Sequence, residues 1–92
     1  DVANKFKVLH DKFIAKGIPV IIDEFGCVNS SAESIRSSYY NFYISSAKKQ
    51  GIKCFVWDNG LSSGSGSYAI FNRSSLTWDT NILNSIISAA NS

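Results

Sequence analysis

The stretch "GIPVIIDEFG", residues 17–26, decides the fold. An apolar run from Ile18 to Ile22 ends in two adjacent carboxylates, Asp23 and Glu24, and Gly26 follows closely. Strands of parallel sheets read as apolar runs, and ligand sites collect beyond the C-terminal ends of such strands. Val20, Ile21 and Ile22 are β-branched and suit an extended backbone. Gly17 fits the position just past a helix end, and Pro19 prevents that helix from continuing.

Working outward from this strand, Val2, Phe6, Leu9 and Phe13 recur at helical spacing. They predict an amphipathic helix over 2–16, with Lys5, Lys7, Asp11 and Lys12 on its wet side. Downstream, residues 26–31 read as a loop, and Ser30 with Glu33 has the form of a capping box. Ile35, Tyr39, Phe42, Tyr43 and Ala47 mark one face of a second helix that runs to about Lys49 and is closed by Gly51. "IKCFVW", residues 52–57, is a second buried strand. The Gly/Ser-rich stretch "DNGLSSGSGS", 58–67, reads as a mobile loop. "YAIF" (68–71) and "SLTW" (75–78) form a hairpin around Asn72-Arg73-Ser74. Thr77 or Asp79 is placed to cap a last helix, whose face is Ile82, Leu83, Ile86 and Ile87.

The order is helix, strand, helix, strand, hairpin, helix, an α/β chain with parallel strands. Both strands are apolar on both faces, so both faces of the sheet are expected to be covered. Two strands make a narrow sheet with an unpaired edge on each. Residues 1–92 therefore read as one unit of a larger parallel sheet or barrel, completed by a homo-oligomer or a strand-exchanged assembly. The chain starts at Asp1 and contains no methionine, which suggests a piece of a longer polypeptide.

Composition narrows the partners. The 92 residues are 45% hydrophobic and 17% charged, with a net charge of +2. No apolar run approaches the roughly 20 residues needed to cross a membrane. No basic segment followed by an apolar one marks a signal peptide. Lys and Arg are scattered without a stripe, so nucleic acid is not an expected partner. His10, the only histidine, lies on the first helix, away from the strand ends, and no cluster of ligands supports a metal or other cofactor. Cys27 lies three residues beyond Glu24 and Cys54 three before Trp57. If Glu24 and Trp57 share a rim, the cysteines are roughly 20 Å apart, whereas bridged Cα atoms lie within about 7 Å. A disulfide is not expected. The sequons Asn29-Ser30-Ser31 and Asn72-Arg73-Ser74 carry weight only in a eukaryotic secreted protein.

The chemistry sits at the strand ends. The first strand delivers Asp23-Glu24-Phe25-Gly26 and the second Trp57-Asp58-Asn59-Gly60. In a strand–helix–strand unit these ends lie side by side at one rim. An indole beside a carboxylate suits a sugar, whose apolar face stacks on the ring while the acid addresses a hydroxyl or the anomeric carbon. Strand alternation sends Asp23 and Glu24 to opposite sides, so they are not expected to work as a pair. Tyr68, beside the loop, is a further candidate for sugar contact. Trp78 reads as packing, Tyr39, Phe42 and Tyr43 as core, and Arg73 as a hairpin anchor.

"GIPVIIDEFG", "KKQGIKCFVWDNG" and "FNRSSLTW", with "YY" in the intervening helix, resemble the C-terminal part of a glycoside hydrolase family 5 endoglucanase. The resemblance covers nearly the whole chain in the family's order and spacing. It implies a fragment of an eight-stranded (β/α) TIM barrel that hydrolyses β-1,4-glucans with retention, supplying strands seven and eight with their flanking helices. On this resemblance Glu24 stands at the nucleophile position. Trp57 stands at the sugar-stacking platform, and Asp58 and Asn59 at the polar positions behind it. Asp23 departs from the family's usual glycine, and Val56 from a frequent second tryptophan. The acid/base carboxylate of an Asn-Glu-Pro sequence on strand four is absent from this chain. Secretion is implied by the family's polymeric substrates. Three functions follow as alternatives. The expected one is a β-glucan-binding fragment that is not catalytic alone. The others are part of an active endoglucanase requiring the missing strands, and a structural unit with a vestigial sugar site.

Overall fold

The computed structural model describes residues 1–29 and 31–92. Helix α1 spans Val2–Lys12 and begins at Asp1, whose carboxylate accepts from the Asn4 N–H at 2.8 Å. The helix ends earlier than its apolar spacing predicts. Phe13 leaves helical geometry, a single 3₁₀ turn follows over Ile14–Lys16, and Gly17 closes it in the left-handed region at φ 82°. Strand β1 spans Ile21–Phe25, α2 Glu33–Lys49 and β2 Lys53–Val56. A short hairpin follows, β3 Phe71–Asn72 and β4 Thr77–Trp78, and α3 runs Thr80–Ala90. The expected capping box rests on Ser30, which lies outside the described residues. At the start of α2, Ala32 occupies the capping position without a side-chain cap.

Strands β1 and β2 pair in parallel, Ile21 with Lys53, Ile22 with Cys54 and Phe25 with Val56. Three steps along β1 match two along β2, so an extra residue is accommodated between Ile22 and Phe25. Such bulges are uncommon in parallel pairs. The packing gives the reason. Ile22 and Phe25 stand at odd spacing, yet both pack into the core beside α2. Strict alternation would turn one of them outward. The bulge turns both inward and leaves Asp23 and Glu24 exposed between them. The regular alternation on which the separation of the two acids is expected does not hold across this step. Both lie in the irregular step of β1, to which the period of two does not apply.

Only one face of the sheet is covered. Ile22 and Cys54 meet the helices, whereas Ile21 and Phe55 are 58% and 56% exposed. The chain is also elongated, 45 × 22 × 21 Å, with a radius of gyration of 14.2 Å. A compact domain of this length has about 12 Å. Coverage of both faces, expected from the apolar strands, is not met within this chain.

Two core clusters meet at Ile22, Tyr43 and Cys54. Phe6, Ala47 and Ile52 form one, and Phe25, Tyr40 and Ile82 the other. Phe25 stacks on Tyr43 at 4.3 Å, and Phe6 meets the same ring edge-on at 5.1 Å. The buried face of α2 is rotated from the predicted one. Arg36, Tyr40 and Ala47 are buried, while Ile35 and Phe42 are exposed. α3 buries Ile82 and Ala89 with Ile86 packed alongside, leaving Ile87 exposed. Asp79 caps it, accepting from the Ile82 N–H at 3.2 Å. Both cysteines are free, and burial pushes the Cys54 thiol up from its usual range. His10 bonds through Nδ1 to the Gln50 carbonyl at 3.0 Å, the structural role expected of it.

Tyr40 is fully buried, and its hydroxyl accepts from the Cys27 N–H at 3.0 Å. Tyr40→Phe keeps the ring but strands a buried donor, which costs about 1–3 kcal/mol. The expected outcome is a matching loss in urea midpoint at unchanged slope.

Candidate functional site

The rim is built from the C-terminal ends of β1 and β2. The Trp57 N–H donates to the Phe25 carbonyl at 2.8 Å, which extends the pairing one residue past the strand. Trp57 is thereby fixed beside the end of the strand that carries Glu24. Its indole, 40% exposed, meets Tyr68 edge-on at 5.2 Å and 70°. Gly26 makes this approach possible. A Cβ at Gly26 would stand 3.0 Å from Tyr68 Cδ2 and 3.2 Å from the Trp57 carbonyl oxygen. Both distances are tighter than ordinary packing contact, so a side chain there would push Tyr68 away.

Asp58 and Asn59, predicted as sugar contacts, are engaged by the loop that follows them. Asp58 accepts from the Gly60 N–H through Oδ1 at 2.6 Å, and its Oδ2 pairs with Arg73 at 3.1 Å. Asn59 donates to the Gly66 carbonyl at 2.7 Å and accepts from the Leu61 and Tyr68 N–H groups at 3.3 and 3.4 Å. Ser67 is buried and bonds the Leu61 carbonyl at 2.5 Å. The loop 58–67, predicted mobile from its glycines and serines, is thus cross-tied, and Tyr68 emerges at a fixed place. Arg73 anchors the hairpin as expected. The hairpin tip is one residue longer than predicted, 73–76, with Leu76 in the left-handed region at φ 59°. Among the described residues neither Asp23 nor Glu24 takes part in an ion pair.

Sequence reasoning missed Arg36, which is only 3% exposed. Its guanidinium donates to the Cys27 carbonyl at 3.2 Å and the Ala69 carbonyl at 3.3 Å, and lies 3.9 Å from Asp79. It ties the segment after β1 to the segment after Tyr68. A charged residue one position from an apolar stripe gives no sequence signal of burial. Glu33 lies near the same Asp79. Hydrogen bonding to Asp79 pushes the Glu33 carboxyl up, with desolvation and the Asp79 charge adding to it, and Arg36 opposing.

Residues 1–63 match the family described as Cellulase (glycosyl hydrolase family 5). The chain belongs to glycosyl hydrolase family 5. Endoglucanase B of Neocallimastix patriciarum is 44% identical over 69 residues, covering 74% of this chain and 15% of the relative. A family 5 xyloglucanase from Paenibacillus pabuli, solved with ligand, superposes with a TM-score of 0.87 at 36% identity, over 97% of this chain and 26% of that one. A GH5-4 broad specificity endoglucanase from Ruminococcus champanellensis, solved with bound cellotriose, gives 0.82 at 33% identity, over 94% and 25%. This family 5 chain therefore spans between 15% and 26% of the length of these relatives. Its mixed parallel and antiparallel pairing is consistent with part of a (β/α) barrel. Among the described residues no helix is long and apolar enough to cross a membrane.

Glu33 binds its proton more tightly folded than unfolded, so its contribution to stability falls as pH rises through its raised pKa. Glu33→Gln removes that loss. The gap in Tm between Glu33→Gln and the parent chain is expected to move in favour of the variant from pH 4 to pH 7, read by calorimetry at fixed ionic strength.

Proposed function

We propose that residues 1–92 form a single partial-barrel unit, the C-terminal strands seven and eight of a family 5 catalytic domain. We infer that it binds β-1,4-glucan without cutting it when alone. One observation carries this reading: Trp57, Tyr68 and the end of the Glu24 strand share one rim, with the indole held in place and partly exposed. Trp57 is the stacking platform, and Tyr68 sets its edge. Asp58 and Asn59 serve the sugar by holding the loop that presents Tyr68. Glu24 occupies the nucleophile position.

Retaining hydrolysis needs a second carboxylate about 5 Å from the nucleophile to act as acid and base. Asp58 is committed to Arg73 and Gly60, and Asp79 to the cap of α3. Glu33 lines a cavity beside Asp79 and Trp78. The small share of its relatives' length that the chain covers supports a second reading, in which Glu24 acts once the remaining strands are present. Polymeric glucan as ligand implies an extracellular setting.

Retention on insoluble cellulose, paired with a reducing-sugar assay on soluble β-glucan, separates these readings. The expected outcome is retention without sugar release. Trp57→Ala should lose most of it, since one aromatic stack is worth on the order of 1 kcal/mol. Unchanged retention of that variant would remove Trp57 as the platform. Sugar release abolished by Glu24→Gln would establish the enzyme instead.

The open sheet edges and the bare face at Ile21 and Phe55 support self-assembly of the isolated unit. Light scattering during size-exclusion chromatography is expected to give a mass above the monomer at micromolar concentration. A well-folded monomer there would refute assembly.

A further inference from the structure

A cavity whose lining includes neither Trp57 nor Tyr68 opens between the segment after β1, the start of α2, the loop 58–67 and the hairpin, with a volume of about 470 Å³. Its lining is mostly polar and includes Asn29, Glu33, Arg36, Trp78 and Asp79. Pockets of about 300–1,000 Å³ with a few convergent polar groups are the usual size of small-ligand sites.

Three features narrow the ligand. Trp78 is 55% exposed; Phe71 packs against its ring at 4.9 Å and leaves much of the indole open. A side chain read as packing thus offers an apolar surface at the cavity wall. The Asn29 Oδ1 atom is buried and has no hydrogen-bond partner among the described residues, and such an acceptor is costly to leave unpaired. The charges largely answer one another. Arg36 donates to two carbonyls and faces Asp79, and Glu33 lines the same cavity. A free anion would meet two carboxyl groups, and a cation would meet a buried guanidinium. A neutral polyol avoids both and can donate to Asn29.

We propose that this cavity is a second carbohydrate site, taking a neutral pyranose ring against Trp78 with its hydroxyls on Asn29 and Glu33. It goes beyond the Trp57 platform and stands independently of it. Two sites on one unit would let the chain hold a glucan strand at separate points, which raises retention on a polymer beyond either affinity.

The chain has two tryptophans, Trp57 and Trp78, so single substitutions isolate each reporter. Trp57→Phe leaves Trp78 alone and Trp78→Phe leaves Trp57 alone. Titrated with cellotriose, the Trp57→Phe variant is expected to show a saturable change in emission. Adding Glu33→Ala in that background should weaken the apparent affinity several-fold. Silence from Trp78, or an affinity indifferent to Glu33→Ala, overturns the second site, whatever Trp57 does. A response from Trp57 alone leaves the platform standing and removes this proposal. A response from Trp78 alone supports the proposal and removes the platform. Amide NMR on the unsubstituted chain guards against misfolded variants. Shifts at Ser31, Ala69 and Asp79 support the site, and their absence at saturating sugar refutes it.

Discussion

The inward placement of both Ile22 and Phe25 is the constraint on which the rest depends. These two residues cannot share a face of a regular strand, and the bulge between them resolves the conflict. Phe25 then reaches the aromatic rings of α2, stacked on Tyr43 and edge-on to Tyr40 at 5.7 Å. The Phe25 carbonyl is left aligned with the Trp57 N–H. Asp23 and Glu24 occupy the step that the bulge frees. One packing requirement therefore seats the core, exposes the acids and fixes the indole next to them.

A second constraint is polar. Arg36 crosses from α2 to the segments after β1 and before β3, and faces the cap of α3. Burying a guanidinium is costly unless its donors are used. Here two carbonyls accept from it and the Asp79 carboxylate stands 3.9 Å away, so the cost secures a defined geometry. The Tyr40 hydroxyl meets the Cys27 N–H in the same region. Those contacts hold Cys27 from both sides, just past the glycine that admits Tyr68. The rim at Trp57 and Tyr68 and the cavity beside Trp78 thus share one support.

How much of this was legible follows from which signals are local. Gly17, Pro19 and the β-branched run announce the end of the first helical segment and the start of β1, and the structure agrees. Parallel pairing and the Asp79 cap follow from connection length and side-chain chemistry. The bulge was not legible, because its cause is the position of α2 rings distant in sequence. The face of α2 was misjudged for a related reason. Ile35 and Phe42 fit an apolar stripe, but α3 packs where Arg36 and Tyr40 stand. The loop 58–67 has the composition of a flexible linker, yet Asn59, Ser67 and Arg73 tie it through partners that composition does not register. Glu24 and Trp57 were marked in the sequence by their place at strand ends and by the family resemblance, and Tyr68 by its place beside the loop. What set their spatial relation was Gly26, whose missing Cβ is the space that Tyr68 uses.

The bare sheet face finally connects fold to function. Ile21 and Phe55 are exposed on strands whose other side is packed. A soluble sheet with one wet side normally carries polar residues there. Apolar residues at Ile21 and Phe55 instead make sense as a surface that meets further strands. Lower on the strands the apolar side chains need cover, whereas at the rim Trp57 needs only the Phe25 carbonyl and Tyr68 to be held. The demands of sheet cover and of the Trp57 rim therefore separate along the strand. This separation is why a chain with an uncovered sheet face can still present an ordered rim.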